Sequence, residues 1–248
     1  MKKQLFFALF VLLLLTGCSK ELSFEMQTFT QKSALPCADD CPEINITIPF
    51  AKAKKVVADS INTKTLNTIK EMVYFGEKPN EVTDYNTLAK SFITSYEEMK
   101  KTYPEETLGW LAKINADVEH FSDQLVNIKI EHETYTGGAH GYHGFRSLLF
   151  NPETGKSIKT SDLFTDKNAF LAFAEAAFRK KYHIDKKRNI NSTGLMFENE
   201  KFELAINIFY TQQGLLLYYN SYEVASYADG PKEIVFPYES VKKYLKYL

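Results

Sequence analysis

The chain has 248 residues, 44% hydrophobic and 25% charged, with a net charge of -1. That length and balance suit one globular domain, or two small ones sharing a core. Basic and acidic residues are interleaved and nearly cancel, which argues against a nucleic-acid partner and against purely electrostatic adsorption to anionic membrane.

Residues 1–17 form a targeting segment: Lys2 and Lys3 precede an apolar run from Leu5 to Leu15 that is short for a bilayer span. The run ends in Leu15-Thr16-Gly17-Cys18, which resembles a bacterial lipobox. By that resemblance the signal is cut before Cys18, and an acylated Cys18 anchors the rest of the chain in a lipid bilayer outside the cytoplasm. Residues 18–42 lack clear periodicity and are expected to be a tether. Cys37 and Cys41 flank Ala38-Asp39-Asp40. A metal site or a redox pair would also use cysteines, but in an oxidising compartment with no further Cys or His ligand nearby a small structural disulfide is preferred.

The body begins with Ile44, Ile46, Ile48 and Phe50, whose alternation with polar residues predicts a half-buried strand. From Ala53 to Phe75 the spacing becomes helical, with Val57, Ile61, Ile69, Met72 and Val73 near one face and Gly76 and Pro79 as stops. A second helix is predicted from Asp84, its N-cap, to Tyr103, with Pro104 beyond. Ile114, Ala116 and Val118 alternate in one strand, and Val126, Ile128 and Ile130 in the next. Ser122-Asp123-Gln124 turns between them as a hairpin. A loop with Gly137, Gly138, Gly141 and Gly144 follows, then a strand from Phe145 to Phe150. Asn151-Pro152-Glu153-Thr154-Gly155 is a strong turn signal, and a third helix is predicted over about Lys167 to Tyr182. Phe202, Leu204, Ile206 and Ile208 predict another strand, Leu215 to Tyr219 its return, and Glu233 to Phe236 a further one. Pro237 opens a final helix with Val241, Tyr244, Leu245 and Leu248 on one face. The expected fold class is α+β: antiparallel sheet meanders with helices packed on one face, in two closely associated modules, 43–122 and 123–248.

No motif marks a catalytic centre. There is no nucleophile elbow, no phosphate loop and no dinucleotide fingerprint. His140 and His143, two residues apart, are placed to approach one metal, but no third ligand is marked, so neither a metal nor a cofactor is expected. The stretch from Tyr135 to Gly144 concentrates unusual backbone positions with aromatic and polar side chains. Together with Tyr222 and Tyr227 it is the expected contact surface, made of Tyr135, Gly137, Gly138, His140, Tyr142, His143, Tyr222 and Tyr227. Its rings offer area for stacking and hydroxyls for hydrogen bonds.

Four groups of residues carry a family resemblance: Tyr135-Thr136-Gly137-Gly138-Ala139-His140, Asn151-Pro152-Glu153-Thr154-Gly155-Lys156, Ser161-Asp162-Leu163-Phe164, and Tyr222-Glu223-Val224-Ala225 with Tyr227-Ala228 and Gly230. In this order they resemble the extracellular domain of the anti-sigma-V factor, a lysozyme receptor, and the non-catalytic modules that precede the catalytic domain of the peptidoglycan deacetylase PdaC. The resemblance spans nearly all of the chain after the tether. Neither a catalytic deacetylase domain nor a sigma-binding segment is legible, so what it implies is non-catalytic binding of a lysozyme-like protein or of peptidoglycan at the bacterial cell envelope. Two alternatives stand beside it: a cell-wall hydrolase using His140 and a carboxylate, and a purely structural envelope lipoprotein.

Overall fold

The computed structural model describes residues 21–37, 41–74, 81–105 and 108–248. The signal segment and Cys18, the loop acids Asp39 and Asp40, and the helix stop at Phe75, Gly76 and Pro79 lie outside the described residues.

Five strands build the larger sheet, in the order of their numbering: β1 (Ser23–Lys32), β2 (Glu43–Lys52), β3 (Leu111–Phe121), β4 (Val126–Tyr135) and β5 (Tyr142–Phe150). β1 corrects the expected tether. Its apolar residues break strict alternation, because only Phe24 and Phe29 turn inward while Met26 is exposed. That pattern belongs to an outer strand, paired antiparallel with β2 and covered by single ring contacts: Phe24 on Phe121, and Phe29 stacked on Tyr85 at 4.9 Å. β2 and β3 pair in parallel, a departure from the expected all-antiparallel meander. The reason is the crossover between them, helices α1 (Lys55–Val73) and α2 (Tyr85–Thr102), which returns the chain to the end where β2 began.

α1 and α2 cover one face of this sheet. Val57, Ile61 and Ile69 of α1 and Leu88, Phe92 and Tyr96 of α2 meet Ile44, Ile46, Ile48, Ile114, Ile128 and Ile130 in one buried cluster. Each fully buried isoleucine contributes about 1.5–3 kcal/mol relative to exposure. Thr65 and Thr68 are tolerated inside because their hydroxyls donate to carbonyls one turn back, Ile61 and Lys64. Asp84 caps α2, its carboxylate accepting from the Thr87 amide and hydroxyl at 2.9 and 2.7 Å.

A three-stranded antiparallel sheet, β6 (Asn207–Thr211), β7 (Gly214–Tyr219) and β8 (Lys232–Phe236), packs with helix α3 (Lys167–Lys181) around a second cluster. Phe170 and Phe178 of α3 meet Phe236 and Tyr219 at ring distances of 5.9 and 5.6 Å. The strand expected from Phe202 starts only at Asn207. Phe202 is buried but Ile206 is 60% exposed, so the alternation does not hold. The final helix is also short: α4 (Tyr238–Val241) gives way to a 3-10 turn over Lys242–Tyr244, and Leu248 lies outside the core.

The two sheets are joined by side chains that bond to backbone. Asn127 of β4 is fully buried; its Oδ1 accepts from the Tyr210 amide at 2.9 Å and its Nδ2 donates to Ser147 Oγ. The Ser147 amide donates to Asn207 Oδ1 at 3.0 Å, and its hydroxyl to the Ile208 carbonyl at 2.6 Å. A register shift between Val118 and His120 brings His120 onto the Asn127 face, against the Tyr210 ring. The expected module boundary at 122/123 therefore falls in the turn of the β3–β4 hairpin, inside one continuous sheet.

Candidate functional site

The β4–β5 hairpin ends in the loop 136–141. Gly137 and Gly138 adopt φ of +108° and +91°, a region that residues with a Cβ rarely enter. They turn the chain so that Tyr135 Oη donates back to the Gly138 carbonyl at 3.1 Å.

The turn delivers His140 to two tyrosines far along the chain. Its ring stacks on Tyr227 with centroids 4.1 Å apart and 18° between planes, and lies 6.5 Å from Tyr222 at 22°. Tyr222 and Tyr227 are 5.5 Å apart. Both His140 nitrogens face partners: Nδ1 lies 2.8 Å from the Gly141 carbonyl and Nε2 lies 3.4 Å from Tyr222 Oη. With the proton assigned to Nδ1, the ring donates to Gly141 and accepts from Tyr222. Tyr227 Oη donates to the same Gly141 carbonyl at 3.2 Å.

Tyr222 has φ of +69°, unusual for an aromatic residue. A brace holds it there. Its amide donates to the Ala225 carbonyl at 3.0 Å, and the Glu223 carboxylate accepts from the amides of Ile206 and Asn220 at 2.8 and 2.9 Å. Burial pushes the Glu223 carboxyl above its ordinary range, against the pull of those two amides. Tyr222 remains 57% exposed, so the stack presents an open aromatic face.

Beneath the loop the remaining expected residues separate. Tyr142 leans inward on His132, with ring centroids 5.4 Å apart. His132 is buried, its Nδ1 has no hydrogen-bond partner, and its pKa falls to about 4, first through burial and then through the nearby charges of Arg146 and His143. His143 turns to the other side of β5, where Nε2 meets Glu131 Oε1 at 2.8 Å and the ring sits edge-on to Phe145. His140 and His143 thus have different partners. Among the described residues no group of three or more His, Cys, Asp or Glu is arranged to hold a metal. On the far side of Tyr135 lies a groove of about 610 Å³ lined by Lys32, Glu43, Leu108, Trp110 and Tyr135. Cys41 borders it and is joined to Cys37 in a disulfide, Cα atoms 5.4 Å apart.

Arg146 and Asn220 carry no signal in the sequence, His132 enters it only as a histidine that could approach the His140/His143 pair, and Glu223 only within the Tyr222-Glu223-Val224-Ala225 motif, although all four stand at this site. Asn220 meets Phe145 75 residues away and Glu223 meets Ile206 17 residues away, so no local spacing marks those contacts. Among the described residues no helix is long and apolar enough to cross a membrane.

Comparison with known proteins gives two family matches. A model of the deacetylase PdaC matches residues 36–143, and a model of a protein of unknown function, DUF3298, matches residues 161–239. No curated protein matches significantly. Two solved structures share the fold. A DUF3298 family protein from Pseudomonas aeruginosa is 19% identical with a TM-score of 0.62, over 92% of this chain and 96% of that one. A member of the same family from Bacteroides fragilis is 22% identical with a TM-score of 0.61, over 90% of this chain and 93% of that one.

Proposed function

We propose that this protein is a non-catalytic binding module of the bacterial envelope, held to a lipid bilayer through acylated Cys18, and that it recognises peptidoglycan or a lysozyme-like protein with the tip of the β4–β5 hairpin. One observation carries this reading: the stack of His140, Tyr222 and Tyr227 is exposed yet rigidly braced. A face of preordered rings binds a sugar or a protein anchor without the cost of ordering loose side chains. The match to a deacetylase and the lipobox-like segment support an envelope setting.

The alternative is a cell-wall hydrolase with His140 and a carboxylate as acid and base. Both ring nitrogens of His140 face Gly141 and Tyr222, and among the described residues the histidine bound to a carboxylate is His143, paired with Glu131, which favours the binding reading.

The test is calorimetry of the full chain in detergent micelles, titrated with muropeptides and separately with a lysozyme. Heat with either is expected, and it should weaken when His140 or Tyr222 becomes alanine. Silence with both ligands overturns the reading in favour of a structural lipoprotein.

A further inference from the structure

Arg146 stands on β5, opposite Ile130 and two residues beyond Gly144 on the same face. Gly144 contributes no side chain, and the Tyr142 ring leans over it. Arg146 is partly shielded from solvent, yet among the described residues no hydrogen bond or ion pair engages its guanidinium. Arg146 follows Phe145, whose backbone bonds the Asn220 side chain two residues before Tyr222, and its charge is felt at His132, Tyr142 and Glu223. Glu223 accepts from the Ile206 and Asn220 amides, and among the described residues no ion pair joins it to Arg146. Asn220 and Glu223 root the segment that carries Tyr222, so the strand position of Arg146 borders the base of the aromatic stack.

A guanidinium has five donors in a planar fork that matches a carboxylate. We infer that Arg146 is a carboxylate-binding subsite of the hairpin tip, so that the ligand is a glycopeptide carrying a free carboxylate rather than a neutral glycan. This rests on the glycan reading above. The rings take the sugar, and Arg146 takes the acid of the attached peptide in a charge-assisted pair.

The full chain is titrated calorimetrically with a muramyl-peptide disaccharide and with the same compound whose carboxylates are amidated. The unaltered protein is expected to bind the free acid about tenfold more tightly or better. Arg146→Gln should bind both compounds equally, at the level of the amidated one, and Arg146→Lys should restore part of the preference. Binding of the amidated compound at the unaltered level shows that Arg146→Gln is folded. Equal binding of both compounds by the unaltered protein, or a preference that survives in Arg146→Gln, overturns the subsite and leaves the glycan reading standing. If the unaltered protein binds neither compound, the glycan reading falls and the subsite with it.

Discussion

The side-chain amide of Asn220 pairs with the backbone of Phe145 as a neighbouring strand would: Oδ1 accepts from the Phe145 amide at 2.8 Å, and Nδ2 donates to the Phe145 carbonyl at 2.9 Å. β5 is the outer strand of its sheet, so these backbone groups have no strand partner of their own. Asn220 closes that edge and also roots the segment that carries Tyr222. A buried peptide group left without a partner costs about 1–3 kcal/mol. Asn220→Ala should therefore lower stability by about 3 kcal/mol, seen as a drop in the urea midpoint with an unchanged slope. A loss below about 0.5 kcal/mol would show that water replaces the amide and that the edge is not sealed by it.

Gly144 lies under the same contact. A Cβ there would sit 2.8 Å from Tyr142 Cε1, 2.9 Å from Asn220 Oδ1 and 3.1 Å from His132 Nε2. The tyrosine ring can swing, but Asn220 cannot retreat without losing Phe145. Gly144→Ala should cost about 1–3 kcal/mol through overpacking. Gly137→Ala is the control: nothing lies within 4 Å of its Cβ, so it should pay only for its positive φ, about 1 kcal/mol. Thermal or urea unfolding of the two variants ranks them; the reverse order would refute the clash.

Much of this fold is legible in the chain. The helical spacing of Val57, Ile61 and Ile69, the cap at Asp84 and the alternation from Val126 to Ile130 are local signals, and the structure bears them out. β1 is hidden because an outer strand needs few apolar residues, and two phenylalanines five apart do not make a pattern. The parallel pairing of β2 and β3 is hidden because it depends on where the α1–α2 crossover lands. At the site, the glycines and the rings of His140, Tyr222 and Tyr227 stand out by type. The brace does not: Asn127, Asn207 and Asn220 look like ordinary turn residues until their partners, 83, 60 and 75 positions away, are known.

Tyr222 separates binding from folding. It is exposed, it is strained at φ +69°, and its ring contacts and the hydroxyl bond to His140 favour its identity. Tyr222→Gly relieves the backbone while removing the ring, and the two effects, each about 1 kcal/mol, should nearly cancel in stability. Affinity for the muropeptide or lysozyme should still fall about tenfold. Unfolding and calorimetry on one preparation check both. A variant that keeps full affinity would move the contact surface away from the hairpin tip.

His132 sets an acid limit on the fold. Its native pKa is about 4, below the ordinary 6.5, because burial and the charges of Arg146 and His143 disfavour the imidazolium. Above pH 6.5 neither the native nor the unfolded chain holds the proton, and the residue does not affect stability. Between pH 6.5 and 4 the unfolded chain takes up a proton that the native chain refuses, so stability falls as pH falls. Across that window the loss is about 3 kcal/mol, and below pH 4 it levels off. His120, also depressed by burial, acts in the same direction. Glu223 opposes both: its raised pKa favours the native state at low pH and loses that advantage as pH rises through its native value. Urea midpoints taken from pH 7.5 to 4 should therefore slope downward, and His132→Gln should flatten most of the slope. An equally steep profile in His132→Gln would assign the acid sensitivity to other groups.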